Sequence, residues 1–129
     1  MSVVYLDASA IVKLVVPEPG SPELENGLRE RSRVTSAISR VEVVRAVSRR
    51  AAPSSRSPAD VLARLTSIAV DDTVISLAAS MTPSQLRTLD AIHLASALQV
   101  APDLDAFITY DRQLGHAAAA AGLPVETPR

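Results

Sequence analysis

The chain has no cysteine and no tryptophan, and only one phenylalanine and two tyrosines among its 129 residues. Without thiols it builds neither a disulfide frame nor a thiolate metal site. With aromatic residues at 2%, little surface exists on which bases would stack, so sequence reading by aromatic platforms is not indicated. The core must come from Val, Leu, Ile and Ala, within an apolar share of 47% that is ordinary for a globular protein. No apolar run approaches the roughly 18 residues of a membrane span. The opening MSVVYLDASAIVKLVV lacks a basic leader and is cut by Asp7 and Lys13, which makes it a poor signal peptide. These absences lead us to expect a soluble, cytoplasmic protein without a membrane partner. One domain over residues 1–129 is expected, long enough for a real core.

A large charge of one sign is also missing, since the formal net charge is −1. The charges are nevertheless unevenly spread. Between Arg29 and Arg56 stand eight arginines against two acids, Glu30 and Glu42. Such a stretch either attracts phosphates or forms solvated helix faces.

Short apolar, β-branched runs predict buried strands at VVYLD (3–7), RVTSA (33–37), TVISL (73–77) and DAFITYD (105–111). LPVET at 123–127 adds a short edge strand. Helices are predicted at 8–16, 22–31, 40–51, 59–69, 88–98 and 112–121, the last stopping at Gly122, a natural C-cap position. PEPGSP and APSSRSP read as loops. Strands alternating with helices predict an α/β fold, a parallel sheet covered on both faces by right-handed crossovers. In such sheets ligands sit beyond the carboxyl ends of the strands.

Four acids are predicted at that edge. Asp7 and Asp111 close the first and fourth strands, while Glu42 and Asp90 lie in the first turns of helices that begin there. Taken singly, each acid suits a helix N-terminus. Ser39-Arg-Val-Glu42 even spells a capping box. Taken together, four neighbouring carboxylates repel and should take up protons unless a cation intervenes. Oxygen ligands without cysteine or paired histidines suit Mg²⁺, or Mn²⁺, better than Zn²⁺. One or two such ions support phosphodiester cleavage by activated water. Ser9 and Thr109, each two residues from an aspartate, are expected to support the site, although either suits a cap. In the helix TLDAIHLASAL, Asp90, His93 and Ser96 form a polar stripe at spacing three. We expect His93 to be a packed, hydrogen-bonded ring, Ser96 to permit close helix packing and His116 to lie on the surface. Arg45 and Arg49, one turn apart on the helix of Glu42, are candidate phosphate contacts, or partners for acids.

YLDASAIVKL, SRVEVVRA, LDAIHLASAL and FITYDRQLGHAAAAAGL resemble the successive motifs of PIN-domain ribonucleases, specifically VapC-type toxins of toxin–antitoxin pairs. The resemblance runs from Val3 to about Val125, with motif order, spacing and chain length in agreement. It implies a five-stranded parallel sheet and a divalent-metal-dependent endoribonuclease. The family's acidic site carries over to Asp7, Glu42, Asp90 and Asp111, with Ser9 and Thr109 as its hydroxyls. Some members carry a further acid where this chain has Thr109, a departure that bears on a second metal. The resemblance also implies an RNA substrate, a homodimer and a VapB-type antitoxin. Two other classes compete on the residues alone. One is a Mg²⁺-dependent phosphohydrolase with Asp7 as covalent nucleophile; the other is a non-catalytic interaction domain whose acids are only caps.

Overall fold

A computed structural model describes residues 2–50 and 53–129. At its centre lies β1 (Val3–Leu6), whose alternating side chains supply both faces of the sheet. Val4 and Leu6 pack with α1 (Ala8–Val15), α2 (Ser21–Gly27), α3 (Ser39–Ser48) and α4 (Pro58–Ala63) on one side. Tyr5 packs on the other, with residues of α6 (Thr88–Leu98) and α7 (Arg112–Ala120). Tyr5 and Phe107 stack there at 5.0 Å between ring centroids, so two of the three aromatic rings sit in one core.

Five parallel strands form the sheet: β1, β2 (Ser32–Ser36), β3 (Thr66–Ile68), β4 (Leu104–Ile108) and β5 (Val125–Glu126), in the spatial order β3-β2-β1-β4-β5. The expected five-stranded parallel α/β architecture is therefore the observed one. The chain builds outward from β1 to β3, then crosses to the other side of β1 to lay down β4 and β5. That reversal makes the carboxyl end of β1 and β4 a topological switch point, where open α/β sheets hold ligands.

Two predicted elements differ. TVISL is not a strand but lies within α5 (Asp72–Ala79), because Asp71 caps it by accepting from the Val74 N–H at 3.0 Å. An N-cap with a second acid in the first turn outweighs the β-propensity of three branched residues. The third strand is instead Thr66–Ile68, inside the stretch predicted as helix 59–69; that helix is α4 and stops at Ala63. The remaining boundaries shift slightly. α2 ends at Gly27, β4 ends at Ile108, and α3 ends at Ser48; the predicted end of the last helix, Ala51, lies outside the described residues. Gly122 does terminate α7. At φ 90° it donates to the Ala119 carbonyl while Leu123 donates to that of Ala118, the paired bonds of a Schellman cap. Among the described residues no helix is long and apolar enough to cross a membrane.

Candidate active site

Asp7 follows β1 without a linker and caps α1. Its Oδ1 accepts from the Ala10 N–H at 3.0 Å and from the Ser9 hydroxyl at 2.6 Å. Its Oδ2 accepts from the Thr109 hydroxyl, also at 2.6 Å. Both hydroxyls are themselves held: Ser9 Oγ accepts from the Tyr110 N–H and Thr109 Oγ1 from the Asp111 N–H, each at 3.0 Å. The ends of β1 and β4 are thus laced together through one carboxylate. Asp7 is buried, and burial raises its pKa against the lowering effect of His93 and of these hydrogen bonds.

Asp111 caps α7 by accepting from the Leu114 N–H at 3.0 Å. Asp90 has no such duty. It lies in the first turn of α6, whose N-cap is Arg87, without a side-chain capping bond. Its Oδ2 is buried with no hydrogen-bond partner among the described residues. Its carboxyl is pushed up to about 6, first by burial and then by the charges of Asp111 and Asp7, against the opposing pull of His93 and Arg87.

Glu42 lies in the first turn of α3, but the capping box does not form. Ile38 occupies the cap position without a side-chain bond, and Ser39 is the first helical residue. The Ser39 hydroxyl is instead buried against that of Thr35 at 2.7 Å. Glu42 Oε1 turns to His93 Nε2 at 2.6 Å, and Nδ1 of the same ring lies 2.6 Å from the Tyr5 hydroxyl. With 1% exposure, His93 is the expected packed and hydrogen-bonded ring. Ser96 is likewise buried, bonded to the Ile92 carbonyl, and His116 is exposed.

A cavity of about 460 Å³ opens beside these groups, lined in part by Ser9, Glu42, Arg45, Arg49, Leu89 and Tyr110. Arg45 and Arg49 are exposed, and no ion pair among the described residues engages them. Arg50 and Lys13, on the same wall, both pair with Glu18, at 3.1 and 3.2 Å. Of the basic stretch read from the sequence, Arg31 pairs with Glu126 and Arg56 with Glu25. The unneutralised guanidinium groups of Arg45, on α3, and of Arg49, its C-cap, therefore line the cavity that Glu42 also lines.

The family model for the PIN domain matches residues 4–120, nearly the whole chain. The chain belongs to the PIN-domain family. Within it, the chain is 44% identical to Ribonuclease VapC46 of Mycobacterium tuberculosis (strain H37Rv), over 99% of both chains. It is 43% identical to Ribonuclease VapC35 of the same strain, over 97% of this chain and 96% of the relative. Two solved structures share the PIN architecture. The VapBC2 complex of Rickettsia felis, bound to a promoter DNA fragment, superposes with a TM-score of 0.65 at 13% identity, covering 98% of this chain and 99% of that one. VapBC-5 of Mycobacterium tuberculosis gives 0.57 at 22% identity, covering 100% and 99%.

In this PIN domain the expected residues assemble unequally. The charges of Asp7 and Asp111 both act on Asp90, and Ser9 and Thr109 hold Asp7. Glu42 joins through His93. Among the described residues, no three acidic or histidine side chains already stand at metal-ligand spacing. Tyr5 is the group that pattern reading passes over. A tyrosine in a buried strand reads as core, and only the fold brings its hydroxyl to His93.

Proposed function

We propose that this PIN domain is a divalent-metal-dependent endoribonuclease, the toxin of a type II toxin–antitoxin pair. The observation that carries the reading is Asp90. Capping accounts for Asp7 and Asp111 and explains nothing about a half-buried acid with an orphaned oxygen and a raised pKa. A cation beside it would satisfy the oxygen and relieve the repulsion from Asp7 and Asp111. Capping bonds leave the other carboxylates able to ligate, since each ionised carboxylate offers about four lone-pair sites. The donor set is carboxylate and hydroxyl oxygen without thiolate, which suits Mg²⁺ or Mn²⁺.

Asp7, Glu42, Asp90 and Asp111 would hold the ion. When bound, such an ion neutralises phosphate charge and acidifies water near neutral pH. The chain's own residues supply the rest. Ser9 and Thr109 fix Asp7 and favour its ionised form against the cost of burial by donating to its two oxygens. Arg45 and Arg49 stand where an RNA backbone entering the cavity would meet them. With so few aromatic side chains, choice of cleavage site rests on RNA shape and exposed loops rather than on stacking.

Asp7 is a poor covalent nucleophile, being 3% exposed with both oxygens occupied by donors, so the phosphohydrolase reading gains no support. Relatives of the VapC type, and a fold shared with VapBC complexes, support a VapB-type antitoxin as partner; a homodimeric assembly and a cytoplasmic setting belong to the same proposal and rest on the family resemblance alone. The test is cleavage of total RNA with Mg²⁺, Mn²⁺ or chelator. The wild-type chain is expected to cut only with an ion, and Asp90→Asn is expected to be inactive while still folded. Full activity in a clean Asp90→Asn preparation would remove the proposal.

A further inference from the structure

Glu42 is held by the ring of His93, and that side chain is itself anchored. The Ser36 N–H donates to the Tyr5 hydroxyl at 3.1 Å, the hydroxyl lies 2.6 Å from His93 Nδ1, and Nε2 lies 2.6 Å from Glu42 Oε1. Tyr5 and His93 are 0% and 1% exposed, so bulk water does not compete for these bonds. The chain of bonds runs from β2 through β1 and α6 to α3, joining four elements and ending at the cavity that Glu42 lines.

One tautomer of His93 lets every bond of this chain be made. A backbone N–H only donates, so the phenol oxygen accepts from Ser36. Its own hydrogen is free to point to Nδ1, and the tautomer that accepts it carries the ring proton on Nε2, facing Glu42. That proton is donated to Glu42.

We infer that Tyr5 and His93 are positioning residues, a buried relay of hydrogen bonds that fixes one imidazole tautomer in order to aim the Glu42 carboxylate into the cavity. The relay occupies Oε1 and leaves Oε2 without a partner among the described residues. Rotation of Glu42 away from the cavity would break the bond to Nε2 and leave a buried N–H unpaired. Ring orientation is over-determined by contacts on both nitrogens and by the edge-to-face packing of Tyr5, 5.8 Å between centroids. In metal sites, outer groups that orient a ligating carboxylate typically change ion affinity or activity by about 10–100-fold when removed. The inference rests on the reading of Glu42 as an ion ligand.

The test titrates Mn²⁺ into the full chain by calorimetry and reads the His93 ring by long-range ¹H–¹⁵N NMR. In the wild type, Nε2 is expected to carry the proton. Tyr5→Phe keeps the ring stack and is expected to melt cooperatively, yet to mix the tautomers and weaken Mn²⁺ binding and RNA cleavage about tenfold. His93→Gln retains an N–H for Glu42, so it should bind Mn²⁺ more tightly than His93→Ala. If His93→Ala does not fold, Tyr5→Phe and His93→Gln against wild type still decide. A wild-type ring protonated on Nδ1 alone, or unchanged Mn²⁺ affinity in Tyr5→Phe and in the folded His93 variants, overturns the inference. Mn²⁺ binding without RNA cleavage would sink the nuclease reading while the relay stands on tautomer and affinity. No Mn²⁺ binding to the wild type would sink both.

Discussion

At the scale of single residues, Asp90 carries a measurable consequence for stability. Its carboxyl moves from an ordinary 3.8 to about 6 in the fold, so within that window the folded chain holds a proton the unfolded chain has released. Stability then falls as pH rises from about 4 to about 6 and levels off above, and the raised pKa of Asp7 acts in the same direction. With chelator present, Asp90→Asn should stabilise the chain by roughly 1–2 kcal/mol at pH 7, with no gain at pH 3.5. The full linkage is discounted because the group is only half-buried. Urea unfolding at the two pH values measures the difference. Thr109→Val makes the complementary prediction. It removes a donor to Asp7 and an acceptor for the Asp111 N–H, and should cost about 1–3 kcal/mol in the same assay. The four acids and both hydroxyls were legible from their places next to predicted strands and helix starts. Tyr5 was not, because a hydroxyl's partner 88 residues away leaves no mark on local pattern.

Elements were legible where one signal dominated. β1 is a pure apolar run ending in an acid, and α6 alternates small and apolar residues with a polar stripe, so both follow from period alone. TVISL misleads because its branched side chains favour a strand while Asp71 and Asp72 ahead of it favour a helix; the cap decided. Asp71→Ala should therefore cost about 0.5–2 kcal/mol, read from the chemical-denaturation midpoint. β3 escaped because a three-residue edge strand is too short for any period to show. Gly122 offers a backbone test free of packing effects. A Cβ there would meet nothing within 4 Å, so the roughly 1–2 kcal/mol expected for Gly122→Ala is the penalty of its positive φ alone.

Across the whole molecule, the near-zero net charge hides a division of labour. Acids gather at the switch point of the sheet, while Arg45 and Arg49 on α3 stay unpaired along the cavity. Replacing both arginines with alanine should weaken binding of an uncleaved RNA across sequences and flatten its dependence on log salt by roughly 1–1.5 for two lost phosphate contacts on a single strand. An unchanged slope in filter-binding or anisotropy titrations would assign them to surface solvation instead. Sheet order itself was only partly readable. Parallel strands follow from the alternation of elements, but the crossing that puts β4 beside β1 is a long-range choice, resolved by which apolar faces meet.

The bond between Asp7 and Thr109 spans 102 positions. A chain emerging from a ribosome exposes the first of these residues well before the second. Until then the acid has lost one of its two locks and the sheet lacks half of its middle. A centre built this way stays incomplete while β4 is unmade, and the bond that joins the two strand ends closes only afterwards.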